Sequence, residues 1–209
     1  LDLSASNTGG SATYTIYAVS PSQCSSTSKE VIVSVNPIPD VDTDLEDYTQ
    51  CSGSTSNVVI TNPNAVTGTT FSWTVSSSSN VSGASAGSGD VISQVLASTD
   101  GNNTGTVVYE ITPNAGGCDG ASIQRTVTVT PVPTLGVSPA AETFCDGGTT
   151  AITLSNPNAV TGTAYYWTVV STGLTGAGDE GSAALPVAGP ISQTLDLSAS
   201  NTGGSATYT

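Results

Sequence analysis

Apolar residues recur along this chain at every second position, and no window carries a stripe at helical spacing, so the pattern is that of half-buried strands. Val58 and Ile60 open the series. Phe71, Trp73 and Val75 follow on one face with Ser72 and Thr74 on the other; then come Val107, Tyr109 and Ile111, and then Val127 and Val129. Ile152 with Leu154, and Tyr165, Trp167 and Val169, repeat the first two rows further along. Thr and Val dominate these runs because β-branched side chains pack well on a pleated surface. Between them stand turn formers such as Asn62-Pro63-Asn64, Asp100-Gly101-Asn102-Asn103, Asn114-Ala-Gly-Gly117 and Asp146-Gly147-Gly148. Several short strands at this spacing, with a Trp on the third, predict an all-β, immunoglobulin-like sandwich. Trp73 and Trp167, with Phe71 and Tyr165 beside them, are predicted as core residues. Each Trp would bury on the order of 200 Å², worth roughly 5 kcal/mol before entropy is subtracted.

The pattern repeats on two scales. Residues 1–15 return without change as residues 195–209, a period of 194, and surface Ser, Thr and Asn do not stay identical through packing alone. Recent duplication in a tandem array is the simplest cause. Inside that period, Asn62 to Val75 matches Asn156 to Val169, and the same offset of 94 carries Cys24 to Cys118, Pro37 to Pro131 and Cys51 to Cys145. The spacing stretches to 99 at Ile92-Ser-Gln94 and Ile191-Ser-Gln193, a net insertion of five that is expected in a surface loop around residues 179–190. Pro-containing junctions at 36–39 and 130–133 divide the chain into the last strands of one module (1–36), a complete module (37–130) and a module cut before its final strand (131–209). Short stiff linkers of this kind predict tandem modules in an elongated rod.

Charge narrows the partners. The chain has no His, its only cations are Lys29 and Arg125, and its net charge is -14. Nucleic acid and anionic membranes need clustered Lys and Arg, so neither is expected as a partner. No apolar stretch approaches the roughly 20 residues that span a bilayer, so membrane insertion is not expected either; targeting or anchoring elements are expected outside this stretch. Without His, a Ser-His-Asp or Cys-His nucleophile and a His-ligated metal cannot be built. The acids lie scattered in turns and the Gly-rich stretches lack the P-loop Lys, so no enzyme, no catalytic residue and no cofactor is expected.

Two features keep alternatives open. Cys24, Cys51, Cys118 and Cys145 occupy matching positions and suggest an exported, disulfide-bearing protein. Cys51 with Cys118 is the one pair inside a complete module, yet in a standard immunoglobulin topology their loops lie at opposite poles; a bond across the junction to a neighbouring module and free thiols are the other readings. The run Asp40-Val-Asp42-Thr-Asp44-Leu-Glu46-Asp47 puts alternate carboxylates on one face, which fits either a Ca²⁺ site or a solvated acidic edge that discourages strand pairing. The sister stretch 134–142 keeps only Glu142, which favours the edge.

The succession Pro-x-Pro, Cys-Ser-Gly or Cys-Asp-Gly, Phe71-Ser-Trp-Thr-Val75, Ile92-Ser-Gln94, Gly105-Thr-Val-Val-Tyr-Glu-Ile-Thr-Pro113, Gly-Gly-Cys118-Asp-Gly and Thr126-Val-Thr-Val-Thr-Pro-Val-Pro133 resembles the PKD-like, immunoglobulin-like tandem repeats of giant cell-surface adhesins of Bacteroidetes-type bacteria. That resemblance implies stalk repeats of a filamentous surface protein in adhesion or gliding motility, exported by a type IX-like secretion system. Its implied partners are neighbouring modules of the same chain and, through other parts of the protein, the gliding machinery and an external surface or glycan. The alternative is a polysaccharide- or calcium-binding accessory module of a secreted enzyme. No catalytic residues carry over from the resemblance.

Overall fold

A computed structural model describes residues 7–181, 186–199 and 202–209. Every regular element in them is a strand. The chain forms two compact units, one of residues 1–100 and 104–130, the other of residues 101–103 and 131–209.

Unit one begins with an antiparallel hairpin of β1 (Gly10–Ile16) and β2 (Lys29–Val35), with Ala12 opposite Val33 and Tyr14 opposite Val31. Next come β3 (Asp42–Thr43), β4 (Asp47–Cys51), β5 (Val58–Thr61) and β6 (Thr70–Ser79). Short strands β7 (Val81–Ser82), β8 (Gly87–Ser88), β9 (Val91–Ile92) and β10 (Ala97–Ser98) lead into β11 (Gly105–Ala115), which turns through β12 (Cys118–Asp119) into β13 (Ile123–Thr130). One sheet has the order β4-β13-β11-β6-β8 and the facing one the order β3-β5-β9. The inward rows read from the sequence meet between them: Val58, Ile60, Phe71, Trp73, Val107, Tyr109, Ile111, Val127 and Val129 form one buried cluster with Ile92 and Leu96. Alternation dictates this, since residues two apart on a strand face the same side.

Two details of the large sheet matter below. β4 runs parallel to β13, with Asp47 opposite Thr126 and Cys51 opposite Thr130, while β11 and β6 flank antiparallel. The β11–β6 register slips at Ser76: Val108 faces Ser77 and Tyr109 faces Val75, so Ser76 is an extra residue, and its hydroxyl donates to the Val108 carbonyl at 3.2 Å.

Unit two comprises β14 (Gly136–Ser138), β15 (Gly148–Thr149), β16 (Thr153–Ser155), β17 (Val169–Thr172), β18 (Leu174–Thr175), β19 (Thr194–Leu197) and β20 (Ser205–Tyr208). β17 pairs with β20 continuously, from Val169 opposite Tyr208 to Thr172 opposite Ser205, with no bulge. Trp167 is bridged to Glu180 as Trp73 is paired with Gly87, an offset of 93, and Ile191 stands where Ile92 does, an offset of 99. The net five of the sequence spacing is thus a one-residue deletion at the bulge followed by six added residues between Glu180 and Ile191. Trp167, Ile191 and Leu195 are buried, whereas Ile152, Leu154, Tyr165 and Tyr208 are only half-buried. The cause is topological: among the described residues nothing in unit two holds the place that β13 holds in unit one.

Candidate functional site

The acidic run does not converge into a cage. Asp42 accepts from the Thr43 backbone N–H at 2.8 Å and pairs with the Arg125 guanidinium at 2.7 Å, and the same Arg125 donates through Nε to Thr43 Oγ1 at 2.5 Å. The Thr43 N–H first, and Arg125 second, hold the Asp42 carboxyl below its ordinary range. Asp44 accepts from the Tyr48 hydroxyl and from the Val59 N–H, and burial together with that acceptor raises the Tyr48 hydroxyl above its ordinary range. These two carboxylates therefore tie β3 to β13 and β5. No hydrogen-bond or ion-pair partner from this run draws Asp40, Glu46 and Asp47 to the same point, and among the described residues no three His, Cys, Asp or Glu side chains group as a metal would require.

All four cysteines are free thiols; Cys24, Cys51 and Cys145 are exposed. An intramodule Cys51–Cys118 bond is ruled out by the ladder: Cys51 lies opposite Thr130 at one end of β13 and Cys118 precedes Ile123 at the other, seven residues or roughly 23 Å away.

Of the four predicted core aromatics, Phe71, Trp73 and Trp167 are buried, whereas Tyr165 is not. Trp73 is buried beside Phe71 and donates Nε1–H to the Ser85 carbonyl at 3.2 Å, and its ring lies so close to Gly87 that a Cβ there would sit 2.6 Å from Cζ2. Trp167 is buried as well, but its Nε1 finds no partner among the described residues, and Tyr165 beside it stays half-buried.

Two repeated polar constellations carry the most information. The first is centred on Gln94, whose Oε1 accepts from the Ser85 N–H at 3.0 Å and from the Tyr109 hydroxyl at 2.7 Å while Nε2 donates to the Ser85 carbonyl at 2.8 Å. Its own N–H donates to Ser56 Oγ, which donates onward to the Ile92 carbonyl. Burial pushes the Tyr109 hydroxyl up to about 12. In unit two Gln193 does the same with Gly178, Tyr208 and Thr150. The second lies in the Asn-Pro-Asn-Ala-Val-Thr-Gly-Thr loop. Asn62 donates to Val66 O and Thr69 Oγ1 and so closes its own loop, and Asn156 repeats this with Val160 and Thr163. Asn64 reaches out instead: Nδ2 donates to the Ile38 carbonyl at 2.9 Å and Oδ1 accepts from the Asp40 N–H at 3.0 Å, fastening the Pro-x-Pro segment. Asn158 does this to Val132 and Thr134. The turn that aims the second Asn requires a left-handed residue next, and Ala65 and Ala159 adopt φ of 52° and 54°. The repeated string marked these loops in the sequence; which Asn closes the loop and which grips the linker shows only in three dimensions.

Residues 48–133 match the PKD-like domain family. The match spans β4 to β13, the part of unit one that holds Trp73, Gln94 and Tyr109, and the two-sheet architecture agrees with an immunoglobulin-like module. No curated protein matches the chain. The repeated constellations join strands and grip a linker, in the matched segment and again in unit two.

Proposed function

We propose that this chain is a stretch of stalk from a large cell-surface protein, a giant gliding-motility adhesin such as SprB, in which PKD-like modules act as load-bearing spacers and other parts of the protein make contact with the surface or glycan. The observation that carries the reading is the linker clasp: the same Asn fastens the Pro-x-Pro segment in both units, as a chain under tension would require. The parallel pairing of β4 with β13 supports it. Tension entering before β4 and leaving after β13 pulls the two strands past each other, so all ladder bonds between Asp47–Cys51 and Thr126–Thr130 resist together. Each module contributes roughly 25 Å of length. PKD-like domains are typically extracellular, and among the described residues no helix is long and apolar enough to cross a membrane, so surface exposure after export by a type IX-like system fits the reading.

No cofactor and no catalytic step belong to this role. Single-molecule pulling on the full chain tests it: unfolding of residues 37–130 is expected as one discrete event with a length gain of roughly 300 Å. Gradual unravelling at low force, saturable glycan binding or calorimetric heat with Ca²⁺ would overturn it.

A further inference from the structure

Residues 62–69 return unchanged as residues 156–163, although half of them, Pro63, Ala65, Thr67 and Gly68 in the first copy, are exposed in both. The strand that follows has drifted, Phe71-Ser72 having become Tyr165-Tyr166. Both copies also keep an Ala in the left-handed region, at φ of 52° and 54°, where Gly or Asn would sit with less strain. An exposed loop held to one sequence at a backbone cost points to something that engages it from outside. The linker, gripped by Asn64 and Asn158, is one such partner. A second segment is the other.

In unit one that segment is the loop entering β1: Asn7 Nδ2 donates to the carbonyl of Ala65, the left-handed residue itself, at 3.3 Å. In unit two it is the corresponding loop entering β11, since aligning Tyr14 with Tyr109 sets Asn7 on Asn102. There Asn158 Nδ2 donates to the Gly101 carbonyl at 2.7 Å and to the linker at Val132 O at 2.9 Å, so both of its amide protons are committed. Residues 101–103 accordingly pack as part of unit two, although β10 and β11 on either side of them belong to unit one. Strand pairing explains why loop and linker arrive together. Gly10 lies opposite Val35 and Gly105 opposite Val129, so the loop entering the first strand and the linker leaving the second emerge at the same end of the ladder. Asn36 adds a third point in unit one: its Nδ2 donates at 2.9 Å to the Gly116 carbonyl, in the turn between β11 and β12. Beside it Pro39 is fully buried, its carbonyl so close to Gly120 that no Cβ fits there.

We propose that the Asn-Pro-Asn-Ala-Val-Thr-Gly-Thr loop is a docking site for the module that precedes it in the same chain, which presents its linker and its strand-entry loop side by side. Recognition is by amide and carbonyl groups, so it suits a neutral, Asn- and Gly-bearing turn such as 7–9 or 101–103 and calls for no charge and no apolar face. In unit one the docking makes a rigid joint. A linker held alone leaves the β1–β2 hairpin free to swing about it, whereas Asn7 and Asn36 reach two different loops of residues 37–130, and three points of attachment fix a direction. The sense of donation also reverses: the entering loop donates to Ala65 in unit one and accepts from Asn158 in unit two, so the two docking sites of the 194-residue period are not interchangeable. None of this depends on the load-bearing reading, because docking and resistance to tension are read by different measurements.

Pulsed electron spin resonance on the full chain tests the joint in unit one, with the native cysteines changed to serine and nitroxides at Thr13→Cys and Thr74→Cys, both exposed positions. One narrow distance distribution is expected, and Asn7→Ala with Asn36→Ala is expected to broaden it about twofold or more. Hydrogen exchange tests the docking in unit two: Asn158→Ala is expected to speed exchange of amides 101–104 at least about tenfold. In both variants the amides of Val107 to Ile111 should keep their native rates, which separates a loosened joint from an unfolded module. A native distribution already as broad as that of the double variant, a narrow one that the double variant leaves unchanged, or amides 101–104 that N158A leaves unchanged would overturn the proposal. A chain that passes both tests yet unravels gradually under load would remove the stalk reading and leave the docking in place.

Discussion

At Gln94 one amide satisfies the backbone N–H and carbonyl of Ser85 and the buried hydroxyl of Tyr109, groups from two separate segments, and its removal strands all of them. Gln94→Ala is expected to cost about 2–4 kcal/mol in urea unfolding of unit one, several times the cost of truncating a surface Gln. The Tyr109 hydroxyl adds a pH dependence. Burial raises it from its ordinary 10.0 to about 12, so the folded state favours the neutral form. That stabilisation is complete below about pH 10 and is lost as pH rises towards about 12. Thermal unfolding followed across this alkaline window should show the decline in the native chain and a shallower one in Tyr109→Phe. The core aromatics were legible in the sequence because Phe71, Trp73 and Tyr109 obey the two-residue period. Gln94 obeys it too, two residues after the buried Ile92, but a polar side chain on an inward row looks like an interruption until its partners at Ser85 and Tyr109 are seen. The carboxylates at 40–47 were legible in part: alternation put them on one face, while the engagement of Asp42 by Arg125, some eighty residues later, and of Asp44 by Tyr48 shows only in three dimensions.

Among the elements, the bulge in β6 and the loop at Asn64 each invite a deletion or truncation. β17 shows that the ladder against the following strand closes without the extra residue, so deleting Ser76 is expected to cost about 1 kcal/mol or less and to keep the Tyr109–Gln94 bond; the amide spectrum of β11 would report the shifted register. Asn64→Ala removes both bonds to the Pro-x-Pro segment and is expected to cost about 1–2 kcal/mol, with faster proteolysis between Pro37 and Asp40 as the direct readout. Strand existence followed from hydrophobic period, and Pro marked the junctions. The bulge did not follow, because Ser76 to Ser79 are identical neighbours and nothing in such a run marks one position as extra. Only the pairing of Tyr109 with Val75 and of Val108 with Ser77 reveals it.

On the scale of the whole chain, the two units have similar sequences and unequal cores. Amides of Val107 to Ile111, between two paired neighbours and over a closed interior, are expected to exchange with solvent at least about a hundredfold more slowly than those of Val170 to Thr172, whose partner strand β20 pairs, among the described residues, with β17 alone. Equal protection in both would mean that unit two closes its interior by other means. The repeat itself was plain from residues 1–15 and 195–209, but no local pattern says that a covering strand is needed: Leu154 and Tyr165 alternate as faithfully as their counterparts in unit one. The stretch between Glu180 and Ile191 points to a practical use. Six residues have been admitted there while Gln193 keeps its full set of contacts, so a foreign peptide could be spliced into that position and displayed without disturbing the scaffold beneath it.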